Sequence, residues 1–139
     1  MKKNYSYNDL VALMARLRGP GGCPWDRKQT HKSLLKYLRE ESLEVADAIK
    51  KGDPDPICEE LGDLLLQILF HAQIAAEKKR FTMDDVVNGL AKKLVRRHPH
   101  VFGGMKLKTA ADVVANWDEI KKREKELRWK EKQAARRRA

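Results

Sequence analysis

Apolar residues recur every three or four positions along most of the chain and nowhere alternate strictly with polar ones, a periodicity that predicts helices and no strands. The first helix begins near Ser6, whose hydroxyl is a cap with Asp9 three residues on, and carries the stripe Leu10, Leu13, Met14 and Leu17 until Gly19 and Pro20 end it. Residues 19–29, GPGGCPWDRKQ, are too rich in glycine and proline for regular structure and predict a shaped loop. Thr30 offers the next cap. The second helix then runs from His31 to about Lys51 with Leu34, Leu38, Val45 and Ile49 inward, and Gly52, Asp53 and Pro54 stop it. Pro56 suits the first turn of a third helix reaching about Lys78. Its expected buried stripe, Ile57, Leu61, Leu64, Ile68, Ala72 and Ala75, is apolar enough for the centre of a bundle. Thr82 and Asp85 cap a fourth helix through Val86, Val87, Leu90 and Leu94, ended by Pro99. After a loop HPHVFGGMKLK, in which His98 and His100 are read as structural, Thr109 and Asp112 cap a fifth helix bearing Val113, Trp117 and Ile120. That helix runs into a charged tail expected to fray beyond about Lys132. The prediction is an all-α bundle of about five helices.

Composition narrows this picture. A chain of 139 residues suits one core, and 42% hydrophobic with 36% charged residues is the balance that amphipathic helices need. A two-helix hairpin buries too little of its apolar face alone, so the bundle is expected to be completed in a homodimer or a higher oligomer built from it. The net charge of +10 is concentrated in the tail: Lys121 to Ala139 holds ten basic and three acidic residues, a local +7 that leaves +3 for the body. A uniformly basic nucleic-acid surface does not follow. Cys23 and Cys58 form no CxxC pair, no signal-like apolar run opens the chain, and no apolar stretch approaches the ~20 residues that span a bilayer. These features predict a cytoplasmic protein without membrane insertion.

The chemistry lies in acidic residues. Glu40, Glu41 and Glu44 fall on the second helix, and Glu60 and Asp63 on the third. At about 100° per residue, Glu41 with Glu44 and Glu60 with Asp63 border the apolar stripes, and the short turn between the helices can set the two pairs face to face in an antiparallel hairpin. A lone ExxE or ExxD is ordinarily a solvated helix face. Two pairs converging would repel one another unless a divalent ion reversed the interaction. Because all the candidate ligands are oxygen donors, the ion expected is magnesium, with manganese as its substitute.

Further motifs accompany these acids: GCPWD at 22–26 with Gln29 and Thr30, ELGDLLLQ at 60–67, FHA at 70–72, RRHPHVFG at 96–103, and Trp117-Asp118-Glu119-Ile120-Lys121. Together with EExxE at 40–44 and ExxD at 60–63 they resemble the MazG nucleotide pyrophosphohydrolases over about residues 6–124. The acidic motifs are shared with a wider all-α superfamily that includes dUTPase and phosphoribosyl-ATP pyrophosphatase relatives, whereas GCPWD with RRHPHVFG is narrower. The resemblance divides the chain into a MazG-like domain over residues 1–124 and a basic helical extension over 125–139.

The resemblance implies that Glu41, Glu44, Glu60 and Asp63 hold magnesium, and that Glu40 is an outer carboxylate or orients the attacking water. It implies hydrolysis of a nucleoside triphosphate, ribo or deoxy, to monophosphate and pyrophosphate, a nucleotide-pool housekeeping reaction. Lys93, Arg96 and Arg97 become triphosphate contacts, Lys93 and Arg97 foremost, although cations in a last helical turn also suit the helix dipole without any ligand. Trp117 with Lys121, spaced i, i+4, and Trp25 are read either as core residues or as contacts to the base, sugar and phosphate. Many MazG proteins carry two copies of this domain and this chain carries one, which keeps a non-catalytic nucleotide-binding or regulatory module as the alternative.

Overall fold

The computed structural model describes residues 1–139 as seven helices without a strand. They are α1 (Tyr7–Arg18), α2 (Pro24–Lys28), α3 (Leu35–Lys51), α4 (Pro54–Glu77), α5 (Met83–Arg97), α6 (Pro99–Phe102) and α7 (Ala110–Arg138). Residues 1–87 and 88–139 form two compact units, the division falling within α5.

The expected caps are present. Ser6 with Asp9, Thr82 with Asp85 and Thr109 with Asp112 each satisfy two otherwise orphaned amide hydrogens at a helix start. Gly52 ends α3 at φ 80°, a left-handed conformation that costs glycine nothing, and Asp53 then accepts from the Asp55 amide to open α4.

Four features differ from the sequence reading, and the helices number seven rather than about five. Pro24 fills the first position of the short helix α2 inside the expected loop, and Pro99 does the same for α6, because proline at that position lacks only a hydrogen the helix does not use. Thr30 does cap, accepting from the Ser33 amide, but residues 31–34 form a turn and regular α3 begins at Leu35. Helical geometry in α7 persists past Lys132 to Arg138, through Ala134 and Ala135 and a basic last turn that favours the helix dipole.

In the first unit α3 and α4 pack as the main pair, with α1 laid against α4. The core is Met14, Leu34, Leu69, Phe70 and Ile74, flanked by Leu10, Val11, Tyr37, Leu65 and Met83. The α4 stripe is therefore only half as expected. Ala72 and Ala75 are buried, but Leu61 and Ile68 are exposed, as are Leu13 and Leu17 on α1 and Ile49 on α3. The reason is that α4 is apolar on two sides, so the side that meets α1 and α3 buries Leu69, Phe70 and Ile74 while the Leu61–Ile68 ridge stays open.

The glycine-rich loop is pinned at both ends. A Cβ on Gly22 would stand 2.2 Å from the Leu17 carbonyl oxygen, so only glycine lets the chain turn back against α1. Arg18, from the end of α1, donates to the carbonyls of Asp26 and Gln29 and pairs with Glu77 on α4 at 3.0 Å. α2 is thereby fixed to the bundle.

Leu34 is wholly enclosed at the start of α3. Leu34→Ala should lower unfolding free energy by about 2–5 kcal/mol, the range for a large buried aliphatic reduced to a methyl group. Urea denaturation followed by circular dichroism measures it, and a change below about 1 kcal/mol would contradict this core assignment.

Candidate metal centre

Glu41 and Glu44 on α3 face Glu60 and Asp63 on α4, and each offers a carboxylate oxygen within 4.8 Å of all the others. The residue numbers run in opposite directions across the pair, with Glu41 acting on Asp63 and Glu44 on Glu60, and two turns further along His31 meeting His71. This is the antiparallel register the short Gly52 turn predicts. Glu41, Glu60 and Asp63 are half-buried and Glu44 is exposed, so the cluster sits at the surface with its inner oxygens sheltered. The expected convergence of four carboxylates is present.

Electrostatics show what this arrangement lacks. Removal from water is the largest influence raising the Glu41 carboxyl above the ordinary glutamate range, followed by the charges of Glu44 and Asp63. Glu60 is raised in the same way, first by removal from water and then by carboxyl contact with Glu44 and its charge. One oxygen each of Glu41 and Glu60 is enclosed without any hydrogen-bond partner. Sheltered, unpaired oxygens on converging carboxylates are chemically suited to hold a hard divalent cation. Glu40 stands outside the four, on an exposed position of α3, and is near enough for its charge to raise Glu41 further.

The first unit also holds Trp25, a candidate from the sequence, and two features that the sequence reading did not single out, Gln67 and the His31–His71 pair. Gln67, on the α4 side chain row one turn past Asp63, is buried with its Oε1 unpartnered. Trp25 is half exposed, and its ring meets Tyr37 edge-on at 5.8 Å and Phe70 at 6.3 Å. His31 and His71 stack with Nδ1 atoms 2.7 Å apart, so one imidazole donates and the other accepts. Burial, and then the charge of His31, lowers the affinity of His71 for a proton. Nothing in the sequence marks this pair, because its members lie 40 residues apart.

The second unit holds the other candidates. Lys93 is exposed on α5. Arg96 and Arg97 both grip Glu124 of α7, at 2.6 and 2.9 Å, and these hydrogen bonds, Arg97 first, pull the Glu124 carboxyl down to about 2. Arg97 also stands over the Trp117 ring at 5.8 Å, and His98 meets that ring edge-on at 4.9 Å. Lys121 pairs loosely with Asp118 at 3.4 Å. Glu124 was missed from sequence, although its spacing of seven from Trp117 puts both on one side of α7.

With this geometry in view, the family model of the MazG nucleotide pyrophosphohydrolase domain matches residues 29–102, more than half of the chain. This chain belongs to the MazG family. A MazG-related protein from Thermotoga maritima, known as a crystal structure, superposes with a TM-score of 0.66 at 31% identity over 81% of this chain and 96% of that one. Among curated relatives, the MazG nucleoside triphosphate pyrophosphohydrolase/pyrophosphatase of Thermotoga maritima is 51% identical over 119 residues, covering 86% of this chain and 45% of that protein. The uncharacterized protein YabN of Bacillus subtilis is 51% identical over 121 residues, 87% of this chain and 25% of that one. This MazG chain thus spans a quarter to about half of the length of the curated relatives it matches. All four clustered carboxylates fall inside the family match.

The raised carboxyls fix the sign of a pH effect. A glutamate whose affinity for protons is higher in the folded protein stabilises the fold below its unfolded value of about 4.3 and loses that contribution as pH rises through the higher, folded value. These two carboxyls should therefore stabilise the metal-free protein less at pH 7 than at pH 4, so Glu41→Gln with Glu60→Gln should raise stability at pH 7 relative to pH 4 when compared with the parent. Thermal melts across this range measure it, and an unchanged pH dependence in the double variant would refute the raised carboxyls.

Proposed function

We propose that this chain hydrolyses nucleoside triphosphates, ribo or deoxy, between the α and β phosphates, yielding a monophosphate and pyrophosphate in nucleotide-pool housekeeping in the cytoplasm. The observation that carries the reading is the cluster of Glu41, Glu44, Glu60 and Asp63 with two sheltered, unpartnered oxygens, in a chain of the MazG family. Names of relatives at 45–51% identity as nucleoside triphosphate pyrophosphohydrolases support the same chemistry.

In this proposal the four clustered carboxylates hold magnesium, or manganese in its place, and when bound the ion supplies charge neutralisation and acidifies water for attack on phosphorus. Glu40, exposed beside the cluster, serves as an outer carboxylate or orients the attacking water. Lys93, Arg96, Arg97 and Lys121 answer the negative charge of the phosphates, and Trp25 and Trp117 contact the base. Arg96 and Arg97 already share Glu124, so phosphate engages them either over that pair or by displacing its carboxylate.

Incubation with individual ribo- and deoxynucleoside triphosphates and magnesium should release pyrophosphate and no orthophosphate. Asp63→Ala should cut turnover by about a hundredfold or more while circular dichroism stays unchanged, since removing a ligand from a surface cluster takes little from the core. Nucleotide binding in calorimetry without turnover in the parent protein would select a regulatory module instead.

We also propose that the chain functions as a homodimer. Leu61 and Ile68 on α4 are exposed, and α5 buries none of its residues although it carries Val87, Leu90 and Leu94. Apolar rows of this extent are ordinarily covered by a partner. Light scattering should return twice the 16.1 kDa chain mass, and Leu61→Asp with Ile68→Asp should shift it toward one chain; a parent that is monomeric at micromolar concentration would refute the dimer.

A further inference from the structure

The C-terminal half of α7 carries positive charge that the proposed reaction does not use and lies beyond the residues matched by the family model. Lys125, Arg128, Lys132 and Arg136 are spaced by three or four residues, which sets them on one row within an arc of about 80°. All four are exposed and none is in an ion pair. The acids nearby do not neutralise them. Glu124 is held by Arg96 and Arg97, Glu126 projects about 120° from the centre of the row, and Glu131, at i+3 from Arg128, forms no ion pair with it. Trp129 borders the same row, between Lys125 and Lys132, with its ring largely in solvent.

We propose that this row is a binding site for single-stranded nucleic acid, independent of the carboxylate centre. From Lys125 to Arg136 the helix rises about 17 Å, the length over which one strand presents about five phosphates at duplex spacing. Four unpaired cations match that line of charge, and an exposed indole beside them is a platform on which an unstacked base can lie. A duplex keeps its bases stacked and leaves Trp129 nothing to stack on. An anionic membrane fits less well, because insertion needs a broad apolar face and Leu127 is the one large aliphatic residue between Lys121 and Arg138.

The test uses the full chain with a chelator present, so that no divalent ion bridges the oligonucleotide to the carboxylates. Fluorescence anisotropy of a labelled strand of about 20 nucleotides should show binding that weakens about fiftyfold between 50 and 200 mM salt, a logarithmic slope near −3 for four neutralised phosphates at about 0.7 each. Lys125→Gln with Lys132→Gln should reduce the slope to about half, and Trp129→Ala should weaken the single strand by about fivefold or more while leaving a duplex of the same sequence unaffected. Pyrophosphate release by these variants should stay within about twofold of the parent. The inference is overturned by absence of binding at 50 mM salt, by a slope indifferent to the two lysines, by loss of hydrolysis in parallel with binding, or by retention on phosphatidylserine vesicles with none on the strand.

Discussion

Four carboxylates held within 4.8 Å of one another are the constraint around which the first unit is arranged. Like charges at such a distance drive apart any scaffold free to yield, and here the scaffold is two helices of 17 and 24 residues locked in register by a two-residue turn. The core below them, Leu34 against Leu69, Phe70 and Ile74, resists that separation because a packed interior has few alternative arrangements. Removal from water and, after it, mutual repulsion are consequently expressed as raised carboxyls rather than as distance. The fold stores at this point an electrostatic cost that a bound divalent cation would offset.

The parts of this arrangement that were legible in the sequence are those governed by neighbours along the chain. Capping pairs such as Ser6 with Asp9 and Thr109 with Asp112 act over three residues, and the ExxE and ExxD spacings act over one helical turn, so both could be placed before any packing was known. What was not legible depended on which side of a helix meets a partner. The α4 helix has two apolar sides, and only its neighbours α1 and α3 decide that Leu69 and Ile74 go inward while Leu61 and Ile68 do not. Short helices at Pro24 and Pro99 were hidden by the same residues that predict loops, because proline both breaks a helix and begins one.

Contacts distant in sequence account for the remaining surprises in the site. Glu124 carries no motif, yet it organises the basic end of α5 by taking both Arg96 and Arg97. Its carboxyl, held at about 2, stays charged throughout the neutral range, so the arginines are presented in fixed positions rather than as free cations. The cluster read from sequence as either dipole stabilisation or phosphate contact therefore has a third component, a protein carboxylate that any phosphate must outcompete or accept as a neighbour. The His31 and His71 pair is similar in kind, a contact between the turn before α3 and α4 whose members carry no signal alone.

The distribution of charge bears on the order in which the proposed reaction assembles. The chain is strongly positive overall at +10, which draws polyanions toward it from a distance. Close to the four carboxylates the sign reverses, and a bare triphosphate approaching them would meet repulsion that the shelter of two of their oxygens from water makes stronger. Attraction at long range and repulsion at short range are reconciled only when the cation arrives before the nucleotide or together with it. In the proposed reaction a centre built from carboxylates alone would thus make the metal a condition for admitting the nucleotide as well as for the chemistry. The same argument separates the tail from the centre, since Lys125, Arg128, Lys132 and Arg136 have no acid in their row and attract a phosphate chain without any ion to mediate.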